Sequence, residues 1–292
     1  MNYRLGPLGF LSTESKSAPG NFGLHDQRLA LKYIYENIEN FNGDRTNITL
    51  MGHEAGAASI GMHILSESSR LYFNKAIMLS GSDICKWSYL AKEYHPLEFA
   101  RSLARKMGCY DFDSFKMVQC LRQRSAQEIM NANIWVPSEL GGSPWRPVVD
   151  ANEKDKFYSF LDNNPHVLRN GGRFYNITVM LGVTSDEGAY QVAKLKIPNI
   201  DTGLRMTQFE EILREYVRVR AQEYYKWKDY QYSIQYSDSN YYINRIDDFI
   251  DEDGIYRALQ YRYTNWAQPE NTTTIRQKLI DVIIICNSHN KL

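Results

Sequence analysis

Residues 47–59 read NITLMGHEAGAAS, an order of residue types suited to presenting one side chain for chemistry. A short apolar run ends at Met51. Gly52 and Gly56 then bracket His53, Glu54 and Ala55, and Ala57, Ala58 and Ile60 begin a helix of small residues. A turn of this kind between strand and helix is the nucleophile elbow, G-x-S-x-G, which lifts a serine clear of the sheet. Here the central residue is Glu54. A serine at that apex works by giving its proton to a histidine and forming an acyl intermediate. A carboxylate needs no base and is a poor nucleophile toward an ester carbonyl. No other serine occupies such a frame: Ser59 follows a helical turn later and Ser82 lies in GSDIC.

The elements that must position Glu54 alternate β with α. A strand end is expected at Asn2–Leu5, followed by a loop rich in Gly, Pro and Ser from Gly6 to Gly23. A helix from Asp26 to about Asn40 has Leu29, Ala30, Leu31, Ile34, Ile38 and Phe41 as its apolar stripe. The strand Ile48–Met51, the elbow and a helix to about Ser66 follow, then a strand at Ala76–Ser80. Helices are expected at 95–106, 113–122 and 127–132, a strand at Ile177–Gly182, and helices near 208–222, 245–261 and 273–285. Strands joined by crossover helices imply a parallel sheet with helices on both faces. The pattern shows neither an internal repeat nor a clean domain boundary. The opening MNYRLGPLGFLST enters in mid-sheet, so the chain is expected to be a fragment.

Composition excludes several classes. Of 292 residues, 34 are basic and 34 acidic, so no long-range field steers the chain to nucleic acid or an anionic membrane. The longest apolar run, Val282–Cys286, falls far short of the ~20 residues that span a bilayer. No signal peptide opens the chain. The acidic cluster at Asp247–Gly254 lacks the spacing and terminal glutamate of a calcium loop, and reads as a solvated helix face. No metal or cofactor is expected. N-x-S/T sequons stand at Asn47, Asn176 and Asn271. The first two each immediately precede a core strand and could be shielded there; Asn271, in the polar stretch PENTTT, is the best glycan candidate, followed by Asn176 and Asn47.

Several long segments, in order, carry a resemblance: NYRLGPLGFLST, APGNFGLHDQRLALKYIYENIENFNGD, ITLMGHEAGAASIGMHILS, KAIMLSGSDICKW, CLRQRSAQEI, RPVVD, LGVTSDEGAY and YTNWAQPEN. Together they resemble the type-B carboxylesterase and cholinesterase family. The resemblance implies an α/β-hydrolase fold, a mostly parallel sheet with helices on both faces, with the N-terminal and C-terminal parts of the fold missing. Residues 1–292 would form a partial carboxylesterase-type domain. The family's triad runs serine, acid, histidine. By resemblance the serine position falls on Glu54, the acid position on Glu187 in SDEGAY, and the histidine beyond Leu292. The oxyanion-hole glycines would precede residue 1, leaving the backbone N–H of Ala55 as one remaining donor, and one donor makes a weak hole. His53 replaces the glutamate that active members usually carry before the serine.

The chain is most similar to the catalytically inactive cholinesterase-like adhesion molecules, neuroligin, gliotactin and neurotactin. That resemblance implies an extracellular module for adhesion or receptor binding, on the outer face of the plasma membrane or secreted, with an extracellular protein partner. Any membrane attachment would lie outside this chain. It further implies a disulfide between Cys109 and Cys120, a long-range partner for Cys286, and an unpaired Cys85. Two alternatives stay open: an active carboxylesterase, and a hydrolase that uses Glu54 itself as nucleophile, as some α/β-hydrolases use an aspartate. Glutamate is one methylene longer, which would misplace the oxygen by about 1.5 Å.

Two segments bear on association. Glu223–Tyr242 holds seven tyrosines and one tryptophan among polar residues. It reads either as a surface insertion packed on its own domain or as a contact surface. Family members dimerise through a helix that corresponds to about Asn244–Tyr261. Ile246, Phe249 and Ile250 share one face, continued by Ile255, Ala258 and Leu259. Such a stripe suits either core packing or a homodimer through Phe249 and Ile250.

Overall fold

The computed structural model describes residues 1–85, 87–136, 143–150, 159–187, 189, 203–235, 252–263, 271 and 275, without the side chains at 220, 223–235, 252 and 261–263. The chain divides into two compact units, Met1–Val183 and Thr184–Leu292.

In chain order the first unit holds α1 (Gly6–Phe10), α2 (Phe22–Asn37), β1 (Thr49–His53), α3 (Ala55–Leu65), β2 (Lys75–Leu79), α4 (Pro96–Lys106), α5 (Ser114–Leu121), α6 (Ala126–Asn131), α7 (Pro165–Asn170) and β3 (Thr178–Gly182). The strands form a parallel sheet in the order β1-β2-β3, with Thr49 opposite Lys75 and Lys75 opposite Thr178. Parallel neighbours need a long crossover, and α3 supplies the first one. Its small residues let it lie close to the sheet. Ala57, Ile60 and Ile64 bury against Leu31 of α2 and against Leu50, Ala76 and Met78 of the strands. Each fully buried aliphatic side chain there contributes roughly 1.5–3 kcal/mol. A second cluster joins Leu24 and Met62 to Phe160, Leu161 and Leu168.

Local chemistry sets several helix ends. Asp113 caps α5 by accepting from the Phe115 N–H at 2.8 Å. Ser125 and Glu128 form a capping box on α6. Asn164 caps α7, where Pro165 supplies the preset φ of a first helical position. No helical periodicity in the sequence marks α7, whose start rests on this cap and proline.

Two expectations need correction. Residues 2–5 are not a strand end. Leu5 is extended, Gly6 stands at φ +56°, and Pro7 then starts α1. Arg4 is turned outward onto Asp26, donating through Nε and a terminal nitrogen at 2.7 Å each. The sequons at Asn47 and Asn176 are also not shielded, because both residues are exposed. Position before a strand failed as a guide here, since Asn47 closes a turn on the Asp44 carbonyl and β3 is exposed along its whole length.

The second unit is built on α8 (Met206–Gln235) and α9 (Glu252–Tyr263). Leu204, Phe209, Leu213 and Val217 bury with Tyr256 and Ile275, and Ile255 and Leu259 pack on the same cluster. The Arg214 guanidinium lies 3.8 Å from the Tyr256 ring centroid. Because α8 continues to Gln235, the first part of the tyrosine-rich stretch is helical. Phe249, Ile250 and most of the expected helix at 273–285 lie outside the described residues.

Candidate functional site

Glu54 sits between the last residue of β1 and the first of α3, at φ 48° and ψ −114°. A non-glycine residue there is strained, at a cost on the order of 1–3 kcal/mol, and the surroundings fix it. Its N–H donates to the Leu79 carbonyl at 2.9 Å, and its carbonyl accepts from the Ala58 N–H at 2.9 Å. A Cβ on Gly52 would stand 2.5 Å from the Gly56 carbonyl carbon. A Cβ on Gly81 would stand 2.3 Å from the Glu54 carbonyl oxygen. The first elbow glycine is thus a steric requirement. The second, Gly56, meets nothing within 4 Å. Ser80, at the end of β2, also has positive φ (55°), and its N–H donates to the Gly182 carbonyl. The strand ends are therefore tied together around the turn. In open α/β sheets, ligand sites collect at this carboxyl edge.

The elbow aims its apex outward: His53, Glu54 and Ala55 are exposed, whereas Ala57 and Ala58 are buried. Ala55 contributes a first-turn N–H, one of the donors that a helix leaves without an intrahelical partner. The serines nearby do not replace a nucleophile. The Ser59 hydroxyl, largely buried, donates to the Ala55 carbonyl at 2.8 Å, and Ser82 Oγ donates to Asp83 Oδ1 at 3.2 Å. Glu187 belongs to the second unit, where it caps its own turn by accepting from the Thr184 N–H at 3.0 Å.

Behind the elbow runs a buried polar chain that no local sequence pattern announces. His63 Nε2 donates to Gln27 Oε1 at 2.9 Å, so its Nδ1 accepts from the Ser69 hydroxyl. Gln27 Nε2 donates in turn to Ser59 Oγ at 3.4 Å. Burial, with the Arg28 and His25 charges, pushes the His63 pKa down to about 3. His25 is pushed down to about 4, mainly by burial and then by Arg28. Both imidazoles meet the Phe160 ring edge-on, at 5.5 Å for His25 and 5.1 Å for His63. These are neutral core histidines, and they brace α3 rather than face a ligand.

Three further polar anchors hold the first unit together. Asp83, fully buried, receives the Arg169 guanidinium through Nε at 2.6 Å and a terminal nitrogen at 2.5 Å. Gly61 makes room for it, since a Cβ there would lie 2.1 Å from Asp83 Oδ1. Asn21 exchanges two hydrogen bonds with the Val148 backbone, at 2.8 and 2.9 Å. Asp150 accepts from the N–H groups of Phe160 and Leu161 and from Ser159, and burial raises its carboxyl pKa. The partners of Asp83 and Asn21 lie 86 and 127 residues away, which no local pattern could reveal.

The predicted disulfide is present: Cys109 and Cys120 are bonded, with Cα atoms 5.4 Å apart. Cys85 is a free, half-buried thiol, and burial raises its pKa. Asn271 is exposed, like Asn47 and Asn176. Among the described residues no group of three or more His, Cys, Asp or Glu could hold a metal ion, and no described helix is long and apolar enough to cross a membrane.

The Carboxylesterase family profile matches residues 1–290. Neuroligin-3 of Mus musculus is 33% identical over 280 residues, covering 96% of this chain and 29% of that protein. Neuroligin-3 of Homo sapiens is 33% identical with 96% and 28% covered. Neuroligin-2 of Rattus norvegicus is 40% identical over 188 residues, which is 64% of this chain and 21% of that protein. The chain thus spans less than a third of the length of the relatives it matches. A strained strand–turn–helix at the carboxyl edge of a parallel sheet and a family profile over nearly the whole sequence lead to one assignment: the chain belongs to the carboxylesterase family, with its α/β-hydrolase fold.

Proposed function

We propose that this chain is the partial hydrolase-fold region of a cholinesterase-like extracellular protein that works by binding, in adhesion or as a receptor, and not by ester hydrolysis. The observation that carries this reading is Glu54 at the apex of an intact elbow. The turn is built to present a nucleophile, yet what it presents is a carboxylate with one backbone donor beside it. An ester hydrolase would need a serine there and a histidine to activate it. The elbow then persists because the sheet and α3 close around it, as Gly52 and Gly81 require.

The similarity to neuroligins supports placement outside the cell, secreted or on the outer face of the plasma membrane. The disulfide suits an oxidising compartment. Exposure of Asn47, Asn176 and Asn271 suits N-glycosylation at all three. The partner is an extracellular protein, and a second copy of the chain is a further candidate through the helix around Phe249 and Ile250.

The test is made on the full-length protein, with short acyl esters and a serine-directed organophosphate. The expected result is no turnover above background and no label on the elbow peptide. Turnover abolished by Glu54→Gln, or covalent label mapped to Glu54, would restore the hydrolase reading.

A further inference from the structure

The geometry points to Cys120 as a thiol-exchange site, with Arg124 receiving the charge of the sulfur that leaves. The two sulfurs of the Cys109–Cys120 bond are not equivalent. Cys109 is 4% exposed, packed in a cluster with Leu103, Ala104, Met117 and Leu121. Cys120, on the last turn of α5, is half-buried. An incoming thiolate must approach a disulfide along the sulfur–sulfur axis, from the side opposite the leaving sulfur. Approach to Cys109 is closed by that apolar cluster. Cys120 packs on the edge of the same cluster but keeps part of its surface in solvent, so attack is directed there and the group expelled is Cys109.

Charge arriving on Cys109 would be costly among apolar side chains, and both sulfurs lie near helix C-termini, where the dipole disfavours anions. One cation answers this. The exposed Arg124 side chain lies across the bond, with Nε 3.5 Å from Cys109 Sγ and a terminal nitrogen 4.0 Å from Cys120 Sγ. Gly108, at φ +66°, leaves that nitrogen room, since even a Cβ there would stand 4.0 Å away. The closer N–H donor is directed at the sulfur that must leave. A neighbouring guanidinium lowers the pKa of a thiol, and a lower leaving-thiol pKa speeds exchange.

The step balances without an oxidant or metal. An external thiolate, from a small cysteinyl thiol such as glutathione, bonds to Cys120 Sγ. The Cys109–Cys120 bond breaks with its electron pair on Cys109 Sγ. The products are a mixed disulfide on Cys120 and a Cys109 thiolate held by Arg124, which reverses the reaction when it attacks Cys120 again.

Glutathione is added to the natively folded full-length protein, the reaction is quenched in acid, free thiols are alkylated, and peptides are mapped by mass spectrometry. The expected result is a glutathione adduct on the Cys120 peptide and an alkylated Cys109. Arg124→Gln should slow adduct formation by about threefold or more, and Arg124→Lys should recover part of the rate. Thermal melts of the oxidised variants separate this from loss of fold. An adduct on Cys109, equal rates in wild type and Arg124→Gln at equal thermal stability, or exchange only where the protein unfolds would each overturn the proposal.

Discussion

Gly81 lies so close beneath Glu54 that a single added methyl carbon would stand 2.3 Å from the Glu54 carbonyl oxygen. The elbow is therefore gripped from below by β2's exit as well as held by its own glycines. Two consequences can be measured. Gly81→Ala should destabilise by about 1–3 kcal/mol, the usual cost of overpacking a closed site. Glu54→Gly should be more stable than Glu54→Ala by roughly 1 kcal/mol, because alanine keeps the strain at φ 48° and glycine relieves it. Chemical denaturation of the variants reads both. Equal stability of the Gly and Ala variants would mean that the turn stores no strain.

The Asp83–Arg169 pair and the Arg4–Asp26 pair look alike on paper, each bidentate and within 2.7 Å, yet they should differ several-fold in effect. Asp83 is fully buried, while Arg4 and Asp26 both reach solvent. Removing the partner of a buried charge costs about 3–5 kcal/mol, whereas an exposed pair contributes about 0.2–1 kcal/mol. Arg169→Met should therefore lower stability by about 3 kcal/mol, and Arg4→Met by under about 1 kcal/mol. Comparable losses in urea melts would refute the difference.

Acid should act first through the two histidines beside Phe160. Each is neutral in the folded protein, with pKa pushed down to about 3 for His63 and about 4 for His25. Unfolded, each takes up a proton near pH 6.5. Folded-state pKa values below the unfolded value mean that their contribution is fully present above pH 6.5. It is lost progressively as pH falls below about 6.5, and the loss is complete once pH has passed through about 4 for His25 and about 3 for His63. Asp150 acts in the opposite sense, since burial raises its carboxyl pKa and favours the protonated folded form. The histidines dominate above pH 5, so stability should fall between pH 7 and 5, and His63→Gln should flatten that slope. A wild-type slope unchanged by the substitution would place the acid sensitivity elsewhere.

How far the sequence could be read follows from the range of the interactions. The strand at 48–51, the elbow and the helices at 95–106, 113–122 and 127–132 were all legible, because periodicity, glycine spacing and caps act within a few residues. What was missed depends on distant partners. The turn at Arg4 is set by Asp26, the loop at Asn21 by Val148 and the environment of Asp83 by Arg169, and no single-sequence pattern encodes these pairings. At the site, the glycines announced the turn correctly, but only packing revealed that Gly52 is a steric necessity while Gly56 has open space around it. The bracing chain through Gln27 and His63 gave no signal, since a glutamine and a histidine inside apolar helices read as ordinary core residues.

The apolar stripe around α9 offers the last test, because core and interface compete for it. Ile255, Tyr256 and Leu259 pack within their own unit against Phe209, Leu213 and Val217. That part of the stripe is spent. Leu259→Asp should accordingly melt the unit, since a charge placed against a buried cluster lacks a partner. Phe249 and Ile250 precede α9, and the proposed homodimer rests on them. On that reading Phe249→Asp with Ile250→Asp yields a folded monomer from a two-fold dimer, measured by light scattering with circular dichroism as the check on folding. Loss of fold in the double variant would assign these residues to the same core as Leu259. A full-length protein that runs as a monomer at micromolar concentration would end the dimer proposal altogether.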